Sequence, residues 1–383
     1  MMRRNLATLM ILGAAHSLNH SFFLVLPPLL SDITAELNAS FQSMGVVATV
    51  GFFIYGFGAL IGGPLSDMIG EVKVTRLSVM LSGASSFIFM FANDLLTFGV
   101  AIFIMSLWAS FYHPTSNNLI YRAFPVNTAG AMGIHGAAGS IGQMFTPTLA
   151  YLIGKTLNWR FAYVSLGIFS VVTGLLMSRI PEPQSKASRS KASFMDLLKL
   201  RKIWILILYN IIGGLYFRGV ELFFPSFLSL RRGFSGEIAA LSNSLVLLFG
   251  VVGQLLGGKA SDKYGSARMI IVFSLGVVVS LLLLLLLPTS LIGIGIFIVL
   301  YGICYFGHQP AMTSLIGLVS PSRLLGAAYG ATFFFAFGLG SVSTTLAGYL
   351  AENFNLEISF WLMTAFAIVA LLISLVIPKM VKK

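Results

Sequence analysis

Apolar runs of roughly twenty residues, long enough for a helix to cross a hydrocarbon core about 30 Å thick, recur from one end of the chain to the other. Each is closed by a short polar stretch, and the runs are continuous rather than alternating as the strands of a membrane barrel would be. Twelve spans are read, at 5–30, 42–63, 75–93, 97–121, 131–154, 158–180, 203–230, 237–257, 267–288, 290–316, 325–350 and 356–378. The pattern predicts an all-α polytopic membrane protein of twelve transmembrane helices.

Composition agrees: 57% of residues are hydrophobic and 9% charged, where a soluble domain carries about 25% charged residues. The opening MMRRNLATLMILGAA has the basic start and apolar core of a signal peptide. Its run continues past His16 and His20 to Leu30, so it is read as an uncleaved first span. Net charge is +12. With both ends cytoplasmic, Lys155, Arg160, Arg231 and Arg232 face outside and Arg218 lies within a span, which leaves 19 of the 24 Lys and Arg facing the cytoplasm. That bias satisfies the positive-inside rule and predicts an N-in, C-in topology. It accounts for the charge with no nucleic-acid partner. The lone Cys304, in the tenth span, excludes an intrachain disulfide. The expected setting is the lipid bilayer of a plasma or inner membrane, crossed many times by a monomer.

The basic stretch PEPQSKASRSKASFMDLLKLRK, 181–202, reads as a cytoplasmic linker between a six-helix bundle at 1–180 and another at 203–383. The two repeat one another. GGPLSDMIGEVK from Gly62 matches GGKASDKYGSAR from Gly257 at an offset of 195, pairing Gly62, Gly63, Ser66, Asp67 and Gly70 with Gly257, Gly258, Ser261, Asp262 and Gly265. His113 in FYHPTSNNLI falls opposite His308 in FGHQPAMTSLI at the same offset. Such duplication in parallel orientation is a transporter architecture.

The GxxxDxxG turn after the second span of each half, with twelve spans and a basic central loop, resembles the major facilitator superfamily. Within it, HSLNH at His16, FYHPTS at Phe111 and the glycines before Thr146-Pro147 are similar to the fosmidomycin-resistance exporters. The resemblance implies a secondary transporter working by alternating access, with no catalytic residues and no cofactor. It also implies that Gly63, Asp67 and Gly70, with Gly258, Asp262 and Gly265, latch the cytoplasmic side. The first copy departs from the family pattern at Met68 and Glu71-Val72, whereas Lys263 keeps a basic residue in the second.

Arg218 and Glu221 are the only formal charges well inside a span. Each costs at least roughly 2.5–3.5 kcal/mol at a helix centre facing lipid, so they must face something polar. Three residues apart, they share a helix face and are able to neutralise one another. All five histidines, His16, His20, His113, His135 and His308, also fall within spans. Spans 1, 4, 7 and 10, which line the central cavity in the resembled superfamily, carry His16, Asn19 and His20; His113; Asn210, Arg218 and Glu221; and His308 and Gln309. Arginine anchors a carboxylate, phosphate or phosphonate because its planar fork bonds two oxygens and keeps its charge. The expected substrate is therefore a small organic anion or zwitterion at Arg218, with Asn19, His20, His113, Asn210, His308 and Gln309 around it. Glu221, His16, His20 and His113 are expected to couple transport to protons, in the direction of efflux.

The alternatives are a proton-coupled divalent-cation transporter using His16, His20, His113 and His308, uptake of an organic acid by proton symport, and a non-transporting receptor on the same fold. Glycines 133, 136, 139 and 142 are expected to let the fifth span pack closely on a neighbour. Phe333, Phe334 and Phe335 read as a lipid-facing run. GQLLGGKA at Gly253 misses a P-loop by its last residue, Ala260, and ends a membrane span, so nothing points to ATP. HSLNH has metal-ligand spacing but lacks the glutamate of a zinc protease.

Overall fold

A computed structural model describes residues 2–124, 128–182, 197, 199–321 and 324–381. Every regular element among them is helical. The chain divides into two compact units, Met1–Ser188 and Arg189–Lys383, and most of the expected linker lies outside the described residues. The first unit holds α1 (Met2–Leu24), α2 (Leu26–Glu36), α3 (Phe41–Ile69), α4 (Glu71–Ser85), α5 (Leu95–Ser110), α6 (Tyr112–Ala123), α7 (Thr128–Thr156) and α8 (Trp159–Leu176). The second holds α9 (Arg201–Leu230), α10 (Gly236–Tyr264), α11 (Ser266–Leu286), α12 (Leu291–Val319), α13 (Leu325–Phe337), α14 (Val342–Asn353) and α15 (Leu356–Val381).

Among the described residues, 11 helical stretches are long and apolar enough to cross a membrane. They coincide with every expected span except the fifth, 131–154. That one falls on α7, 29 residues long, whose six glycines, His135, Gln143 and Pro147 dilute its apolar character.

Three runs that read as single spans are broken. α1 gives way to α2 at Val25, with proline in the first turn of α2, where a missing amide costs nothing. Pro114 cannot donate to the carbonyl of Ser110, and the chain breaks at Phe111 between α5 and α6. In the eleventh span a 3₁₀ turn at Leu339–Ser341 separates α13 from α14.

The repeat is visible in local geometry. Ser40 caps α3 by accepting from the Ser43 amide, and Ser235, 195 residues on, caps α10 by accepting from Ile238. The repeated loops end their helices alike, Gly70 at φ 99° and Gly265 at φ 89°. Each donates its amide at 2.9 Å, to the Ser66 and Ser261 carbonyls respectively. That backbone region is cheap only for glycine, which accounts for the glycine at both positions.

In the first unit α1 packs along α7, α3 on α5 and α4 on α8; in the second α12 receives α10 and α11, and α9 lies on α15. The α7 glycines divide into two kinds. A side chain on Gly139 would strike the His16 ring and one on Gly142 would strike Ser17, whereas around Gly133 and Gly136 there is open space. Only the second pair of glycines brings α7 against α1.

All four cations read as outside are satisfied within their own unit. Lys155 pairs with Asp32 at 2.8 Å and Arg160 with Glu36 at 2.5 Å. Arg231 meets Glu357 at 3.4 Å. Arg232 donates to the Leu284 and Leu285 carbonyls at the end of α11, at 2.9 and 3.1 Å, where a helix C-terminus favours a cation.

Candidate functional site

In the second unit, Arg218 and Glu221 stand one turn apart on α9 and their side chains form an ion pair, only 7% and 11% exposed. The guanidinium also lies over two rings, Phe337 at 4.2 Å and Phe217 at 5.0 Å, so its charge is met by aromatic faces as well as by the carboxylate. Phe337 arrives there because α13 ends at it. The turn that follows runs close to α9: a side chain added to Gly340 would meet the Gly214 Cα at 2.6 Å.

An aromatic layer on α12 continues from this pair. Tyr305 stacks on Phe217 at 3.9 Å and lies 5.1 Å edge-on from His308. The Nδ1 of His308 hydrogen-bonds with the Tyr305 carbonyl, an arrangement that sets the imidazole tautomer. Tyr209 closes on His308 at 5.8 Å and shares a 2.8 Å hydrogen bond with Ser274. Tyr301 stacks on Tyr305, and its buried hydroxyl has no hydrogen-bond partner among the described residues. Gln309 accepts from Gln254 at 3.1 Å, and Asn210 donates back to Leu206 of its own helix at 2.7 Å. Neither of these two bonds runs to the arginine.

In the first unit the histidines converge. His16 and His20 face each other across one turn of α1, Nε2 to Nε2 at 3.2 Å. His113, from the start of α6, stands edge-on to His16 at 5.1 Å and tilted to His20 at 4.9 Å. His135 of α7 stacks on His16 at 4.3 Å, and its carbonyl bonds the His16 Nδ1 at 2.9 Å. Gly139 makes that approach possible. Tyr55 of α3 donates to Asn19 at 2.6 Å, Asn19 donates to the Ala109 carbonyl at 2.9 Å, and Tyr112 donates to the Leu12 carbonyl at 2.6 Å. Asn19 thus ties α1 to α3 and α5.

At the repeated loops, the side chain of Asp67 lies outside the described residues and Asp262 is exposed. What surrounds Gly70 is acidic and paired. Glu71 is buried against Arg122 of α6 at 2.7 Å. Glu182, beyond α8, accepts from the Val72 amide with both oxygens at 3.2 Å, a carboxylate at the start of α4. The departure at Glu71 therefore has its own cation.

Of the expected site residues, Arg218 and Glu221 meet, and His16, His20 and His113 meet. His308 belongs to the second unit, beside Tyr209 and Tyr305. Sequence reasoning passed over His135 as a site residue and over Tyr55, Phe217, Tyr301, Tyr305 and Phe337. Tyr301, Tyr305 and His308 recur at helical spacing along one face of the tenth span, and that pattern was there to be read. Phe337 owes its place to the break after α13, which no local motif marks.

Comparison with known proteins fits this architecture. The family model of the Major Facilitator Superfamily matches residues 9–345. The gentisate transporter of Corynebacterium glutamicum is 25% identical, with 84% of this chain and 74% of that one covered. The D-galactonate transporter of Escherichia coli O6:H1 is 22% identical over 89% and 88%. Among solved structures, a bacterial homologue of the human lysosomal transporter Spinster superposes with a TM-score of 0.81 at 16% identity, covering 97% and 96% of the two chains. With the family matched across nearly its whole length, the chain belongs to the Major Facilitator Superfamily and is a multi-pass membrane transporter rather than an enzyme.

Proposed function

We propose that this transporter moves a small organic anion or zwitterion by alternating access together with a proton, by symport rather than proton-driven efflux, with Arg218 binding the anion and Glu221 carrying the proton. The observation that carries the reading is the buried Arg218–Glu221 pair inside α9, wrapped by Phe217 and Phe337. An anion that takes the guanidinium leaves Glu221 without its counter-ion, and a proton then restores neutrality in a low-dielectric surrounding. Release of the anion lets Arg218 reclaim Glu221 and discharges the proton, so one pair of side chains binds and releases substrate and proton together. His16, His20 and His113 share the proton traffic, and Asn19, Asn210, His308 and Gln309 complete the polar path.

Two relatives are named for gentisate and D-galactonate, both carboxylates, which supports an anionic cargo. The resemblance of HSLNH and FYHPTS to the fosmidomycin-resistance group extends the candidates to phosphonates. In this reading α7 is the twelfth span, both termini are cytoplasmic, and the protein works as a monomer. The turns at Gly70 and Gly265, with Asp67 and Asp262, act as the cytoplasmic latch; their matching geometry supports a shared role.

Equilibrium binding of gentisate, galactonate and a simple phosphonate to purified protein tests the anchor. Arg218→Ala should abolish binding of whichever probe the wild type holds. Unchanged affinity in that variant removes Arg218 from the site.

A further inference from the structure

We propose that His16, His20 and His113 form a binding site for one transition-metal ion of the zinc class, contained within the first helical unit. Their candidate ligand nitrogens lie within 4.8 Å of one another, supplied by α1 at one-turn spacing and by the first turn of α6. Zinc–nitrogen bonds of about 2.0–2.1 Å at tetrahedral angles put neighbouring ligand nitrogens about 3.3 Å apart. The His16 and His20 Nε2 atoms already stand at 3.2 Å. The site closes when His113 comes to the same spacing, a movement of at most about 1.5 Å given that all three nitrogens already lie within 4.8 Å of one another, and within reach of side-chain torsions.

A second observation fixes which atom of His16 serves as ligand. Its Nδ1 is engaged by the His135 carbonyl at 2.9 Å, so Nδ1 carries the hydrogen and the Nε2 lone pair points at the other two imidazoles. A backbone carbonyl on the far nitrogen is the usual outer support of a metal-bound histidine. The stacked His135 ring, 3% exposed, with neither nitrogen hydrogen-bonded among the described residues, shields that side. His16, His20 and His113 are themselves half-buried.

The donor set selects the ion. Three neutral imidazoles with no carboxylate suit Zn²⁺, Co²⁺, Ni²⁺ or Cu²⁺, and not Mg²⁺ or Ca²⁺, which need oxygen ligands. Three protein ligands leave a fourth position for water or an anion. The site uses residues of the first unit alone, and a bound ion would take the place of the protons proposed for these histidines, so metal binding and anion binding at Arg218 are read separately.

The test is Co²⁺ titration of untagged full-length protein in detergent, followed by visible absorption. Tetrahedral nitrogen ligation gives intense bands that the hydrated ion lacks. Wild type should saturate at one Co²⁺ per chain and lose the spectrum to Zn²⁺. His16→Asn, His20→Asn and His113→Asn should each weaken Zn²⁺ binding by at least ~100-fold, the upper end of what loss of a mere outer-shell partner costs. His308→Asn and Arg218→Ala should leave it unchanged. No saturable spectrum in the wild type, which needs no variant to fold, overturns the proposal. So does one-to-one Zn²⁺ binding that survives in the His20→Asn, His113→Asn double variant.

Discussion

Replacing Glu221 by glutamine strands a guanidinium that is 7% exposed on its side chain. Two unit charges about 4 Å apart at an effective dielectric of about 20 attract by roughly 4 kcal/mol. Removing one partner of a buried pair costs about 3–5 kcal/mol, because the other charge stays desolvated. Unfolding entropy near 2.1 cal/mol/K per residue over 383 residues is about 0.8 kcal/mol/K, so the melting temperature should fall by about 4–6 °C. If the second unit melts alone, its 383 − 188 = 195 residues roughly double that shift. The faces of Phe217 and Phe337 still attract the cation, which favours the lower end. Arg218→Met should cost less than Glu221→Gln, since a carboxylate sheds its charge by taking a proton and a guanidinium cannot. The double variant Arg218→Met, Glu221→Leu removes both charges and should melt at or above the wild type. Thermal melts of purified protein in detergent decide the matter. A Glu221→Gln protein that melts with the wild type, beside a double variant less stable than either single one, would refute the reasoning.

Two further contrasts follow from the packing. Gly142→Leu drives a side chain into Ser17, whose Cα is 2.9 Å from the first added atom, and should destabilise by about 1–3 kcal/mol. Gly136→Ala, with nothing within 4 Å, should be neutral or stabilising by up to about 1 kcal/mol. At the ends of the first unit, Arg122→Met should cost about 3 kcal/mol, the low end for a broken buried pair, because the stranded Glu71, 3% exposed, sheds its charge by taking a proton. Lys155→Met should stay within about 1 kcal/mol, because both it and Asp32 are more than two-fifths exposed. Thermal melts rank each pair.

How much of this was legible depends on the range of the interaction. Apolar runs are a property of the chain itself, and eleven of the twelve coincide with helices able to span a membrane. The 195-residue repeat carried through to matching glycine turns, since a φ near 90–100°, as at Gly70 and Gly265, is cheap only for glycine. Arg218 and Glu221 were readable because one helical turn fixes their separation. The histidines were readable in part: HSLNH sets His16 and His20 one turn apart and the set with His113 is among the alternatives the sequence raises, but the convergence with His113 and His135 depends on the break at Phe111 and the close approach at Gly139. The glycine ladder looked uniform at three-residue spacing, yet two of its members face His16 and Ser17 and two face open space. Periodicity gave the composition of a face but not the identity of its neighbour.

The central claim is that one buried charge pair binds anion and proton together. Purified protein in liposomes under an imposed pH gradient, loaded with the anionic probe that binds best, tests it most directly. Wild-type flux should follow the gradient, Glu221→Gln should exchange the anion with no response to it, and Arg218→Ala should carry nothing. An Arg218→Ala protein that transports the anion, or a Glu221→Gln protein still driven by the gradient, would contradict the account.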